Sequence, residues 1–196
     1  EDAATKRRVL ENLPSDTPEQ LVQKQQLYTE AENATAKVKA LADCLIAFEL
    51  RGFDGDAYEE QRAEEAEKVQ FLMKCDADAS LNSQSPTINQ LSAYVREQLH
   101  GRRSFHWAVE FPEVFACGGF DAFVGNPPFL GGKRISTILS DDYHDWLKMA
   151  IGTTKGAADF CAYFFLRANN LLRKRGSFGL LATNTICQGD TREVGL

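Results

Sequence analysis

Two consecutive prolines, Pro127 and Pro128, come one residue after a short apolar run, Phe120–Gly125 (FDAFVG). An extended chain over this run has apolar residues on both faces, which is typical of a strand buried inside an α/β sheet. Each proline fixes its own φ and lacks an amide hydrogen, so the strand cannot continue beyond Asn126. The pattern therefore predicts a buried strand that ends in a rigid turn at its carboxyl end, where open α/β sheets build their sites.

A second buried strand is predicted over 177–183 (SFGLLAT), after a helix predicted over 157–173 that is apolar on most of its surface. The basic run Arg173–Arg175 is expected to end that helix, with Gly176 as its C-cap. A strand, a long connection, a helix and a second strand is the order that produces parallel strands. The second half of the chain therefore predicts an α/β fold.

The first hundred residues predict helices. Thr17 can cap a helix, Pro18 suits its first position, and Gln20 completes a capping box. Apolar residues then recur at mostly helical spacing, so this helix is expected to extend to about Leu50.

Two more helices are expected in this half. One covers about 57–74 and carries a face of glutamates that we expect to be solvated. The other runs from a Thr87 cap to about Gln98. The stretch between them, 76–86, is rich in Asp, Ser and Asn and predicts a loop.

Charge separates the two halves of the 196-residue chain. Residues 1–100 carry 11 basic and 19 acidic side chains, whereas residues 101–196 carry 11 and 9. The acidic half is a poor partner for nucleic acid, because like charges repel. Basic clusters that could meet phosphate lie in the second half.

Composition also bounds the kind of protein. The five cysteines and three histidines show neither CxxC nor HxxxH spacing, which predicts free thiols in a reducing cytoplasm and no metal site. No run approaches the ~18 apolar residues of a membrane span, so we expect no membrane partner.

The residues Asn126, Pro127, Pro128 and Phe129 combine hydrogen-bond acceptors with an aromatic ring. The carbonyls of Asn126 and Pro127 and the side-chain oxygen of Asn126 can accept hydrogen bonds, and Phe129 offers a face for stacking. Fixed acceptors beside an aromatic wall suit a planar ring that bears an amino group. The alternative is a stiff turn with Phe129 in the core.

The segment GFDAFVGNPPF resembles the catalytic segment of amino-directed, S-adenosylmethionine-dependent methyltransferases, whose pattern is (D/N/S)-P-P-(Y/F/W). With its flanks, FHWAVEFPEVF and GAADFCAYFFLRANNLLRKRGSFGLLATNTICQGDTREVGL, it resembles large adenine-specific DNA methyltransferases. These include fused type II restriction–modification enzymes and BREX-type phage-defence methylases. The resemblance covers residues 104–196 and implies a partial Rossmann-like methyltransferase sheet. The helical residues 1–103 resemble, less distinctly, the insertion or spacer that such enzymes carry.

The resemblance also implies roles for single residues. Asn126 and the Pro127 carbonyl would hold the amino group of an adenine flipped out of double-stranded DNA, and Phe129 would stack on the base. Asp159 matches a position that borders the cofactor, unless it only caps or stabilises a helix. Asn184 matches a loop of the same cleft. Lys133 and Arg134, just past the motif, are candidates for phosphate contact, against a plain solvated loop.

The sequence departs from this family at the cofactor site. A Gly-rich turn after a first strand and an acidic residue after a second, which hold S-adenosylmethionine, are not found. We therefore expect a fragment that works with the remainder of a methyltransferase polypeptide and transfers no methyl group alone. Two alternatives stay open: a methyltransferase acting on RNA or on a protein glutamine, and an inactive remnant that serves as an interaction module.

Overall fold

The computed structural model describes residues 2–53, 55–74, 86–152 and 158–195. Over these ranges the chain is mostly helical, with one small parallel sheet of two strands toward the carboxyl end. No helix within them is long and apolar enough to cross a membrane. The chain divides into two compact units, residues 1–116 and 117–196. The boundary between a spacer and a catalytic region at 103/104 stays a prediction.

The first unit is built from helices. They are α1 (Asp2–Asn12), α2 (Pro18–Glu49), α3 (Gly55–Lys74), α4 (Pro86–Gln98), α5 (Trp107–Glu110) and α6 (Pro112–Ala116). The start of α2 confirms the predicted capping box: the Gln20 amide donates to the Thr17 hydroxyl, and the Thr17 amide donates to the Gln20 side chain. The end of α4 is also as predicted. Thr87 is not its cap, however, because it lies inside the helix and is buried.

The core of this unit forms where α2 meets α4. Its buried residues are Ala40, Cys44 and Ala47 of α2, Ile88, Leu91 and Val95 of α4, and Leu99 just beyond it. Residues 75–85 lie outside the described residues, and with them most of the predicted loop. The apolar faces of α2 and α4 therefore hold this unit together.

The glutamate face of α3 is solvated except at Glu65, where the prediction was wrong. Glu65 is buried and accepts a hydrogen bond of 2.6 Å from the Tyr94 hydroxyl of α4. The Arg51 guanidinium, just beyond α2, lies 3.2 Å from the same carboxylate. Burial, and then the hydrogen bond to Glu65, raise the pKa of Tyr94. One carboxylate therefore joins three helical segments.

Substituting Glu65→Ala is expected to lower the free energy of unfolding by about 2 kcal/mol, because it leaves Arg51 and Tyr94 without their buried partner. Glu64→Ala is the matched control, since Glu64 lies next in the chain and is exposed; its effect should stay within about 0.5 kcal/mol. Urea denaturation of both variants checks this. Equal midpoints would show that the Glu65 contacts add nothing to stability.

The second unit contains the sheet. Its elements are β1 (Phe120–Gly125), α7 (Gly132–Leu139), α8 (Asp141–Ile151), α9 (Phe160–Leu171), β2 (Leu172–Leu180), a 3-10 helix (Asn184–Cys187) and α10 (Gly189–Gly195). The predicted bounds of β1 and the parallel pairing of the strands are confirmed. The α/β expectation thus holds for a sheet of two strands only, within a chain that is mostly helical.

The expectation that β1 is buried was wrong. Val124 is 90% exposed, and Asp121 and Ala122 are also exposed. A sheet of two strands leaves most of its faces uncovered. The core of this unit lies instead among helices, with Ile135 of α7, Leu147 of α8, and Ala162 and Tyr163 of α9.

The basic run Arg173–Arg175, which was predicted to end a helix, lies instead in a bulge of β2. The helix α9 ends at Leu171, and the strand pairing moves from Phe120↔Leu172 directly to Ala122↔Ser177. The basic run Arg173–Arg175 lies in the extra residues, and Arg173 pairs with Asp121. A basic run followed by glycine fits a bulge as well as a helix end, so the local pattern could not separate the two. This run lies where the parallel strands begin, at the end of the sheet away from their carboxyl ends.

Candidate functional site

The carboxyl ends of the two strands lie side by side. Gly125 is in register with Leu180, and the amide of Leu181 donates to the carbonyl of Gly125 over 3.0 Å. The segment that begins with Asn126 and the segment that leads to Asn184 therefore leave the sheet at the same edge. The predicted second strand was too long at this end, because β2 stops at Leu180.

The motif is divided between core and solvent. Asn126 and Pro128 are exposed, and Pro127 is buried. Phe129 is 50% exposed, so much of its ring remains available for stacking. The buried proline fixes the turn, while the Asn126 side chain and part of the Phe129 ring reach solvent. These features suit a site that takes a flat, amino-bearing ring.

The end of the motif is tied to the start of α9. The amide of Phe160 donates to the carbonyl of Leu130 over 2.8 Å, and Leu130 packs against the core of the unit. Gly131 then caps α7, with its carbonyl accepting from the amide of Arg134. The loop that carries Asn126 is thus held at both ends, by β1 and by α9.

Asp159 acts as the N-cap of α9. Its carboxylate accepts a hydrogen bond of 3.0 Å from the amide of Cys161, and its own amide donates to the hydroxyl of Thr191 over 3.1 Å. Thr191 is buried on α10, in a stretch for which the sequence suggested no role. This contact spans 32 positions, and no local signal in the sequence could have revealed it.

Two substitutions at Asp159 separate capping from any other role. Asp159→Ala should lower the free energy of unfolding by about 1 kcal/mol, because the Cys161 amide loses its acceptor. Asp159→Asn should leave stability unchanged, since asparagine caps as well as aspartate. Thermal unfolding of both variants checks this. An equal loss in the two variants would mean that the negative charge itself stabilises the fold.

The remaining predicted site residues are exposed. Lys133 and Arg134 lie in the first turn of α7, shortly after the motif, and Asn184 opens the 3-10 helix after β2. The topology brings Asn184 to the same sheet edge as Asn126. All three residues are exposed, so a ligand can reach their side chains.

The thiol of Cys161 does not serve as a nucleophile in this arrangement. Cys161, at the start of α9, is fully buried, and burial raises its pKa to about 11. The thiol therefore stays protonated at neutral pH. Among the described ranges, no three His, Cys, Asp or Glu side chains come together to hold a metal.

The described residues do not build a complete site for S-adenosylmethionine. Gly131 and Gly132 do open a helix, but Asn126–Leu130 separate them from β1. The one acidic candidate, Asp159, already uses its carboxylate on the helix cap. We therefore assign no chemical step to the cofactor in this chain.

Comparison with known protein families matches nearly the whole chain to one family model. The model of a family described as Eco57I restriction-modification methylase matches residues 5–194. No curated protein and no solved structure matches the chain. The match includes both units, the helical residues as well as the sheet.

Proposed function

The chain belongs to the Eco57I restriction-modification methylase family, and from this premise we propose that it carries the base-binding part of an adenine-specific DNA methyltransferase. Family membership itself implies a DNA methyltransferase and, in general, the use of S-adenosylmethionine. The proposal adds the target atom, the exocyclic nitrogen of adenine, and the residues that hold it. It places the protein in restriction–modification or phage defence.

One observation supports this proposal most directly. The Asn126 side chain and part of the Phe129 ring are accessible, and the buried Pro127 lies between them in the chain. The side-chain oxygen of Asn126 and the carbonyl of Pro127 accept the two amino hydrogens of adenine. Accepting both hydrogens concentrates the electron density of the nitrogen into a lone pair. Phe129 stacks on the base and holds the nitrogen in place for attack.

The methyl donor supplies an electrophilic methyl group, and the residues of this chain prepare the nucleophile. The adenine must leave the double helix to reach Asn126, which costs a few kcal/mol of stacking and pairing. Stacking on Phe129 offsets part of this cost. We propose that Lys133 and Arg134 contact phosphates beside the flipped nucleotide and that Asn184 lines the same cleft.

We also propose that Asp159 borders this cleft. It lies at the start of α9, in the same unit as Asn126. A role in cofactor binding would add to its capping role. The Asp159→Asn variant tests this addition, because it keeps the cap and removes the charge. A weaker affinity for S-adenosylmethionine with unchanged stability would support it.

The function is tested with the native protein that carries this chain, supplied with tritiated S-adenosylmethionine. Three substrates are compared: duplex DNA, RNA, and a glutamine-containing peptide. We expect label in DNA only, recovered as N6-methyladenine by mass spectrometry of the nucleosides. Label in RNA or in the peptide would instead support a methyltransferase that acts on RNA or on a protein glutamine. No label in any substrate would support an inactive remnant.

A further inference from the structure

A cleft of about 640 Å³ lies in the first unit, beside the carboxyl end of α4. Three of its lining residues are arginines: Arg96, Arg102 and Arg103. The buried side chains of Val95 and Leu99 contribute an apolar part of its wall. A cavity of this size and mixture is typical of sites for small ligands, which span about 300–1,000 Å³.

The turn after α4 brings the arginines together. The amide of Gly101 donates to the carbonyl of Arg96 over 3.1 Å, and Gly101 has a φ of +78°. This left-handed residue turns the chain back on the helix end, as glycine commonly does after a helix. Arg102 and Arg103, which follow the turn, therefore line the same cleft as Arg96 on the helix.

Among the described residues of the lining, Asp43 of α2 is the acidic one, and it already has partners. Its carboxylate accepts a hydrogen bond from the Ser104 hydroxyl and lies 2.6 Å from Nε2 of His106. These contacts fix the chain that follows the arginines. In the described part of the lining, arginines outnumber acidic residues, so the lining carries an excess of positive charge. The surrounding residues 1–100 carry a net charge of −8, so this excess is local.

We propose that this cleft binds a phosphate group, carried either by a free nucleotide or by the backbone of DNA. Guanidinium groups match phosphate oxygens in geometry and charge, and they form charge-assisted hydrogen bonds with them. The Ser92 hydroxyl, also in the lining, can donate a further bond. The apolar wall accommodates a base or sugar beside the phosphate. The residues that line this cleft all belong to the first unit, and the proposal does not rest on the proposed methylation.

The test uses the native protein and titration calorimetry with inorganic phosphate and cytidine 5′-monophosphate. A pyrimidine nucleotide is chosen so that an adenine pocket does not contribute. The double variant Arg96→Gln/Arg103→Gln should weaken binding of these ligands about tenfold or more, because each arginine supplies a charge-assisted bond. Both residues are exposed, so the variant should fold. Arg62→Gln removes an exposed arginine from α3 and should leave binding unchanged.

A short DNA duplex serves as the second arm. If free phosphate and the nucleotide do not bind, but the double variant loses salt-sensitive affinity for the duplex, the phosphate belongs to DNA. The proposal is overturned if no ligand depends on Arg96 and Arg103, or if Arg62→Gln has the same effect. Asn126→Ala separates the two sites, since it should keep phosphate binding even if methylation is lost.

Discussion

Replacing Asn126 by alanine is expected to lower kcat for DNA methylation by about 10²-fold or more, the cost of removing one fixed hydrogen-bonding group from a reacting centre. The side-chain oxygen of Asn126 is proposed to accept one amino hydrogen of adenine, and alanine offers no acceptor. The side chain is exposed at the end of β1. The free energy of unfolding should therefore change by less than about 0.5 kcal/mol.

Asn169→Ala is the matched control for this variant. Asn169 is also exposed and lies in the same unit, near the end of α9 that leads into the start of β2. It is therefore far from the carboxyl edge of the sheet, and its loss should not change kcat. Asn126→Asp keeps an oxygen acceptor and should retain more activity than the alanine variant. Full activity in Asn126→Ala would refute the assignment of the motif.

Sequence reasoning succeeded where short-range chemistry decides the structure. Thr17 and Gln20 lie three positions apart, and a capping box depends only on those positions. The bounds of β1 follow from an apolar run that two prolines terminate. Parallel pairing with β2 followed from the helix between the strands.

The errors arose where distant parts of the chain meet. Glu65 belongs to an acidic face like its neighbours, and only the packing of α3 against α4 makes it buried. The same holds for the contact of Thr191 with Asp159. The run Arg173–Arg175 differs, since two local structures fit it and the pairing with β1 selects the bulge. Family membership could be inferred from the motif, whereas the roles of the site residues stay predictions.

Gly119→Ala is expected to lower the free energy of unfolding by about 3 kcal/mol, through backbone strain and overpacking together. Gly119 precedes β1 and has a φ of +122°, which L-residues rarely adopt. A Cβ there would lie 2.6 Å from the carbonyl oxygen of Leu171 and 2.8 Å from the amide nitrogen of Arg173. Both atoms belong to the backbone, so the two strands would have to separate at their start.

Gly179→Ala makes the same change in β2, where a Cβ meets nothing within 4 Å. It should leave stability unchanged or raise it by up to about 1 kcal/mol, because alanine restricts the unfolded chain. Equal urea midpoints for the two variants would contradict the close approach at Gly119. The methylation assay separates this effect from that of Asn126→Ala. Gly119 acts through the fold, so activity in its variant should decline with the folded fraction, and kcat per folded molecule should stay near that of the parent protein.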